Sequence, residues 1–265
     1  MRRRGRRAAE AAARAALALL VTLAAPRGAG AGELDVDAWD GFLARYTRET
    51  SDLAGVRVDY DGLARDPAWR AFVAGLASAA PPAARAGQLA FWVNVYNVLA
   101  ADMVVRHLPL DGIRDAGSLL RPVWKREAGM VDGRAVTLDE VEHAILRPLG
   151  DPRIHAAIVC ASTSCPPLRR EAYRAERIDA QLDEAVRVFL AHPDKGLRIE
   201  PGQVRLSRIF DWFTADFAAA GGPLAFARPH LAAPVRSALD QLGPSPRIVW
   251  FDYDWSLNGL PVTGP

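Results

Sequence analysis

Leu89-Ala90-Phe91-Trp92-Val93-Asn94-Val95-Tyr96-Asn97-Val98-Leu99 lies within an apolar run that extends from about Ala84 to His107. With Met103 and Val104, these side chains cover nearly all sides of a helix, and a helix that is hydrophobic all round belongs inside a protein. The stretch therefore predicts a central helix around which the rest of the chain packs. Asn94 and Asn97 fall three apart on one face of it. Buried amides must find partners, so both are expected to brace a neighbouring loop or to project into a cleft as substrate-orienting or oxyanion groups.

Working outward, Trp39, Phe42, Leu43 and Tyr46 recur at helical spacing, while Val56, Val58 and Tyr60 alternate as in a short strand. Asp66-Pro67 reads as the cap and first turn of a helix that buries Trp69, Phe72, Val73 and Leu76 and ends at Pro81-Pro82. Downstream, Asp132-Gly133 supplies the positive φ angles of a tight hairpin. Thr137-Leu138-Asp139-Glu140 is a capping box opening a helix that carries Val141, His143, Ile145 and Leu146 and stops at Pro148. Ala156 to Val159 suits a buried strand, and Ile178 to Leu190 an amphipathic helix. Pro201-Gly202 turns a second hairpin, Ser207 caps a helix reaching Phe217, and Ile248 to Tyr253 is the last strand. Helices outnumber strands and the strands come partly as hairpins. The expected fold is α+β, a helix-rich single domain with a small, mostly antiparallel sheet.

Residues 1–31 have five arginines among the first seven positions, an apolar run from about Ala15 to Ala25, and Ala29-Gly30-Ala31. That is the layout of a secretory signal peptide, with a run too short to span a bilayer. Its removal takes away seven arginines and one glutamate, turning the formal charge from +2 to about −4. A nucleic-acid footprint needs clustered basic residues, so nucleic acid is not an expected partner. Residues 32–265 are read as one domain with no integral membrane segment, and the location as periplasmic or secreted.

Chemistry is expected around Arg153-Ile154-His155-Ala156-Ala157-Ile158-Val159-Cys160-Ala161-Ser162-Thr163-Ser164-Cys165-Pro166-Pro167, which holds both cysteines of the chain. A nucleophilic Cys165 needs a thiolate, and His155 or His143 could serve as its base, oriented by Glu142 or Asp254. The competing reading is a Cys160–Cys165 disulfide, which an oxidising compartment favours. The histidines could then be satisfied structural groups. Asp252 and Asp254 share one face of a strand by period two, opposite Tyr253 and Trp255. A metal held by Glu142, His143, His155 and Cys165 is disfavoured because adjacent helical residues point apart, and no cofactor is expected.

The blocks Phe91-Trp92-Val93-Asn94-Val95-Tyr96-Asn97, Glu142-His143, Asp151 through Cys160 and Ser164-Cys165-Pro166-Pro167-Leu168 occur in an order that resembles the domain of unknown function 547 family. Ser207 to Phe217 and Asp252 to Asn258 look like that family's later blocks. The resemblance implies export in many bacterial members and brings no cofactor or reaction with it. The expectation is an exported thiol-dependent hydrolase or acyltransferase acting on an envelope peptide or amide. The alternative is a non-catalytic periplasmic binding or scaffold domain with a structural disulfide and an unknown protein partner.

Overall fold

The computed structural model describes residues 32–118 and 120–261, and the expected signal peptide at 1–31 lies outside the described residues. Asp35 caps α1 (Val36–Tyr46), which buries Trp39, Phe42, Leu43 and Tyr46 along the stripe their spacing predicts. β1 (Thr47–Glu49) pairs antiparallel with β2 (Val56–Val58). Tyr60 does not continue β2. It opens α2 (Tyr60–Arg65), because the Asp59 carboxylate accepts the Gly62 N–H and caps a helix there. α3 (Pro67–Gly75) starts as predicted, with Asp66 accepting the Ala68 N–H and Pro67 in the first turn.

α4 (Arg85–Val105) is the central helix, buried along almost its whole length. It is long and apolar enough to cross a membrane, but 89% of its most apolar window is buried inside the protein. Around it pack Leu43, Leu63 and Trp69 from the first helices and Val136, Val141 and Ile154 from later elements.

β3 (Glu127–Val131) and β4 (Arg134–Thr137) form the Asp-Gly hairpin, with φ of 49° at Asp132 and 71° at Gly133. Thr137 Oγ1 then accepts the Glu140 N–H at 3.0 Å, the first half of the capping box. The following turn, Glu140–Leu146, is wound wider than an α-helix: it is π-helical, and the Arg147 N–H bonds the Glu142 carbonyl five residues back.

Ala156–Val159 is not a strand. A 3₁₀ turn at Pro152–Ala156, capped by Asp151, leads into backbone that no strand flanks. Asn97 takes the place of the missing neighbour: its Nδ2 donates to Ala157 O at 3.0 Å and its Oδ1 accepts the Val159 N–H at 2.8 Å. Asn94 repeats the device one turn earlier, donating to Tyr173 O at 2.8 Å and accepting the Tyr173 N–H at 3.0 Å. Each amide is buried and bonds backbone through both its nitrogen and its oxygen, and neither Asn94 nor Asn97 lines the cavity at the cysteine loop. Asn97→Leu is expected to lower stability by about 2 kcal/mol, read from the denaturant midpoint, because it leaves a buried N–H and a buried C=O unpaired at about 1–3 kcal/mol each against some apolar gain.

α5 (Ile178–Ala191) divides its apolar stripe, Ile178 and Leu182 joining the first core and Val186, Phe189 and Leu190 a second. β5 (Leu197–Glu200) and β6 (Gln203–Leu206) form a hairpin, and Ser207 caps α6 (Arg208–Trp212). The helix predicted to reach Phe217 breaks after Trp212, and a 3₁₀ turn, Thr214–Ala220, carries the chain on. α7 (Pro223–Ala227), α8 (Ala233–Gln241) and β7 (Arg247–Trp250) follow, β7 lying parallel to β6. The strands thus fall into three small sheets rather than one, two antiparallel pairs and a mixed three-stranded sheet. The α+β class stands, and the described residues fall in one compact unit.

Candidate active site

A cavity of about 180 Å³ opens where α4, the π-helical turn, the loop of residues 158–166, α6 and the C-terminal segment meet. Glu142, His143, His155, Cys160 and Cys165 all line it, so four of the seven residues expected from the sequence share one space. Its walls are aromatic, with Tyr96, Trp124, Trp212, Phe213, Tyr253 and Trp255 all on the lining and the Trp124 and Trp255 ring centroids 6.1 Å apart. The break after α6 matters here, because it places both Trp212 and Phe213 on the cavity.

Asp254 is not on the cavity. The alternation read from the sequence is present, but Tyr253 and Trp255 take the inward face and Asp254 is exposed. Its carboxylate accepts the Ser256 N–H at 2.9 Å, and its own N–H donates to Ser164 Oγ at 2.9 Å. Asp254 therefore fastens the cysteine loop instead of orienting a histidine.

That loop is closed on itself. The sulfurs of Cys160 and Cys165 stand at disulfide range with their Cα atoms 6.4 Å apart, a separation native disulfides adopt. Ala161 turns the chain with a φ of +61°, a region costly for a residue with a Cβ. Thr163 N–H and Ser164 N–H donate to Ser256 O and Asp254 O, so the loop runs fastened along the C-terminal segment.

Three donors converge on the Cys165 sulfur: the Cys160 N–H at 3.1 Å, Ser162 Oγ at 3.2 Å and Tyr253 Oη at 3.2 Å. The two hydroxyls are 3.0 Å from each other, so either both point at sulfur or Ser162 donates to Tyr253 and Tyr253 to sulfur. The Cys160 sulfur is within reach of the same two hydroxyls, at 3.3 and 3.5 Å, but of no backbone N–H. Cys165 is buried, 2% exposed, and of the two sulfurs it alone lies within reach of a backbone N–H. Contrary to the expectation from sequence, among the described residues no imidazole bonds this sulfur.

The imidazoles are engaged elsewhere. His155 is buried, its ring stacks on Phe213 with centroids 4.0 Å apart, and its Nε2 is 2.8 Å from Asp216 Oδ2. Asp216 is held below the usual carboxylate range by the Arg147 guanidinium, which reaches its two oxygens at 2.7 and 2.6 Å. An ionised Asp216 fixes the tautomer, with Nε2–H donating and the Nδ1 lone pair turned toward Glu142 Oε1, 3.9 Å away. Burial outweighs the Asp216 contact and brings the His155 pKa down to about 4, so the ring is neutral. His143 faces Asp139 at 3.8 Å and Arg147 at 3.0 Å.

The Glu142 carboxyl lines this cavity, its side chain 14% exposed. Burial raises its pKa from 4.5 to about 7, against the hydrogen bond from Tyr96 and the charge of Arg147, and the Asp139 and Asp216 carboxylates push the same way as burial. A carboxyl that titrates near neutral pH can both give and take a proton.

Beneath the loop lies Lys195, only 1% exposed. Its ammonium donates to Ala54 O at 2.8 Å, Thr163 O at 3.1 Å and Cys165 O at 2.6 Å, tying the β1–β2 turn to the cysteine loop. Burial pulls its pKa from 10.5 down to about 7, with the Asp52 carboxylate opposing. The next residue must be glycine: a Cβ at Gly196 would stand 2.0 Å from Phe189 O.

Sequence reasoning assigned no role to Ser162, Tyr253, Asp216 or Lys195. Only Lys195 left a signal. Of the 33 basic residues, Lys125 and Lys195 alone are lysines, so a lysine marks a place where arginine's planar fork does not serve. Three carbonyls converging on one point suit a compact ammonium. Among the described residues no group of three or more His, Cys, Asp or Glu is placed to hold a metal ion.

No curated protein and no solved structure matches the chain. A family model described as Protein of unknown function, DUF547, matches residues 82–190. The match takes in α4, the β3–β4 hairpin, the π-helical turn, the cysteine loop and nearly all of α5, and stops short of Lys195, Asp216 and Tyr253. That segment contributes both cysteines, both cavity histidines and Glu142, and its match supports a DUF547 family assignment.

Proposed function

We propose that this is an exported thiol-dependent hydrolase or acyltransferase acting on a peptide or amide of the cell envelope, with Cys165 as nucleophile in the reduced protein. The observation that carries the reading is the set of three groups able to donate to the Cys165 sulfur, the Cys160 N–H and the Ser162 and Tyr253 hydroxyls, inside a cavity that also holds a carboxyl brought to about pH 7. A dithiol reductant first opens the Cys160–Cys165 pair. The Cys165 thiolate then attacks the acyl carbon, Glu142 protonates the leaving amine, and the resulting carboxylate takes a proton from the water or amine that attacks the thioester. His155, neutral, locked to Asp216 and stacked on Phe213, is bonded to neither Glu142 nor the sulfur among the described residues. The export part rests on the arginine-rich, apolar N-terminal segment.

A second reading, a non-catalytic envelope domain with a structural disulfide, is favoured by the pairing of the two sulfurs. An activated ester separates the two. After reduction under native conditions, p-nitrophenyl acetate is expected to leave one acetyl group on Cys165, seen by peptide mass mapping, with turnover that slows in Glu142→Gln. Protein that is never acetylated after reduction, or is acetylated equally in Cys165→Ala, supports the structural disulfide instead.

A further inference from the structure

We infer that the cavity takes a cationic amine carried on a flat apolar body, an arylalkylammonium or the end of a basic side chain, with its N–H groups on Glu142 and Asp139. This deepens the proposed function, since it names the substrate group for the site assigned to that chemistry. The first support is an acceptor left wanting. A carboxylate has about four acceptor positions, yet Glu142 Oε2 receives one 3.4 Å bond from Tyr96, and among the described residues Oε1 receives none. Its nearest imidazole nitrogen, 3.9 Å away, presents a lone pair and no proton. An ammonium brings three donors and no acceptor, which is the complement of that deficit.

The charge of the lining points the same way. Asp139 and Glu142 lie on the cavity and no lysine or arginine does. Arg147 is the nearest guanidinium on that turn, and it is bound bidentately to Asp216 and by its remaining nitrogen to His143. The walls suit a cation as well. Trp212, 46% exposed, stacks on Trp255 with centroids 5.6 Å apart, and the Arg114 guanidinium already rests 5.2 Å from the Trp255 ring. The cavity of about 180 Å³ exceeds the roughly 150 Å³ that suffices for a benzene ring.

Three ligands with one ring and three charges test the inference: benzylamine, benzyl alcohol and benzoate, titrated by tryptophan fluorescence at about pH 8. Benzylamine is expected to bind at least ~10-fold tighter than benzyl alcohol, with benzoate weakest, and Glu142→Gln and Asp139→Asn each to erode the preference. Tyr96 from α4, Asp139 and Arg147 from its own turn, His155 from the 3₁₀ turn, Asp216 beyond α6 and Tyr253 face Glu142. Of these, Glu142 is the one brought to about 7, so benzylamine affinity should rise between about pH 6 and pH 8 as Glu142 ionises. Equal affinity for the three ligands, or tighter benzoate, overturns the inference. Reduced wild type that is never acetylated but keeps the amine preference defeats only the thiol chemistry. Acetylation without amine preference defeats only the charge assignment.

Discussion

Replacing Glu142 by glutamine is expected to make the protein more stable, by about 3 kcal/mol at pH 8. The folded carboxyl titrates near 7 and an ordinary one near 4.5. Between those values the folded state binds more protons than the unfolded chain, so stability is full below about pH 4.5 and falls as pH rises through 7. That interval corresponds to about 3 kcal/mol. Glutamine carries no charge to desolvate and can still accept from Tyr96, so the variant should escape the loss, and wild type and variant should converge near pH 4. Stability gained on removing a group is the mark of a residue kept for function. Urea midpoints across pH measure it, and a variant less stable than wild type at pH 8 would show that Glu142 is a structural anchor.

Lys195→Met is expected to show a pH slope of the opposite sign. The folded pKa of Lys195 is brought to about 7 from 10.5, so above pH 7 the unfolded chain binds more protons and wild-type stability rises with pH. Relative to the methionine variant, the wild type should gain about 2 kcal/mol between pH 7 and 9, the slope starting at half of about 1.4 kcal/mol per pH unit and approaching that value above pH 8. The buried tyrosines do not interfere, because burial raises Tyr60, Tyr96, Tyr173 and Tyr253 and their effect comes at higher pH. Methionine also leaves Ala54 O, Thr163 O and Cys165 O without their ammonium. The cysteine loop should therefore loosen, and amide exchange at residues 160–165 should quicken. A parallel pH dependence in wild type and variant would mean that Lys195 stays protonated throughout.

Local chemistry was legible in the sequence. Asp66-Pro67, Asp132-Gly133 and Ser207 each announce a structure complete within a few residues, and the all-round apolarity of 89–99 announces the core helix. Ala156–Val159 misled because its backbone partner is the side chain of Asn97, some 60 residues away, which leaves no periodic trace. The cavity was legible in its cysteines, Glu142 and the two histidines, which crowd into two short stretches. How they connect was not. Asp216 diverts His155 from the sulfur, and Tyr253 replaces it there by taking the inward face that alternation alone could not choose.

The most direct measurement is the rate of iodoacetamide alkylation of Cys165 against pH in natively reduced protein, resolved from Cys160 by mass mapping. The three donors on its sulfur should bring the half-maximal rate at least about one pH unit below the 8.5 of an ordinary thiol, and Tyr253→Phe should move it back up. A Cys165 that titrates no lower than an ordinary thiol, or a sulfur pair that opens only when the protein unfolds, would contradict the account.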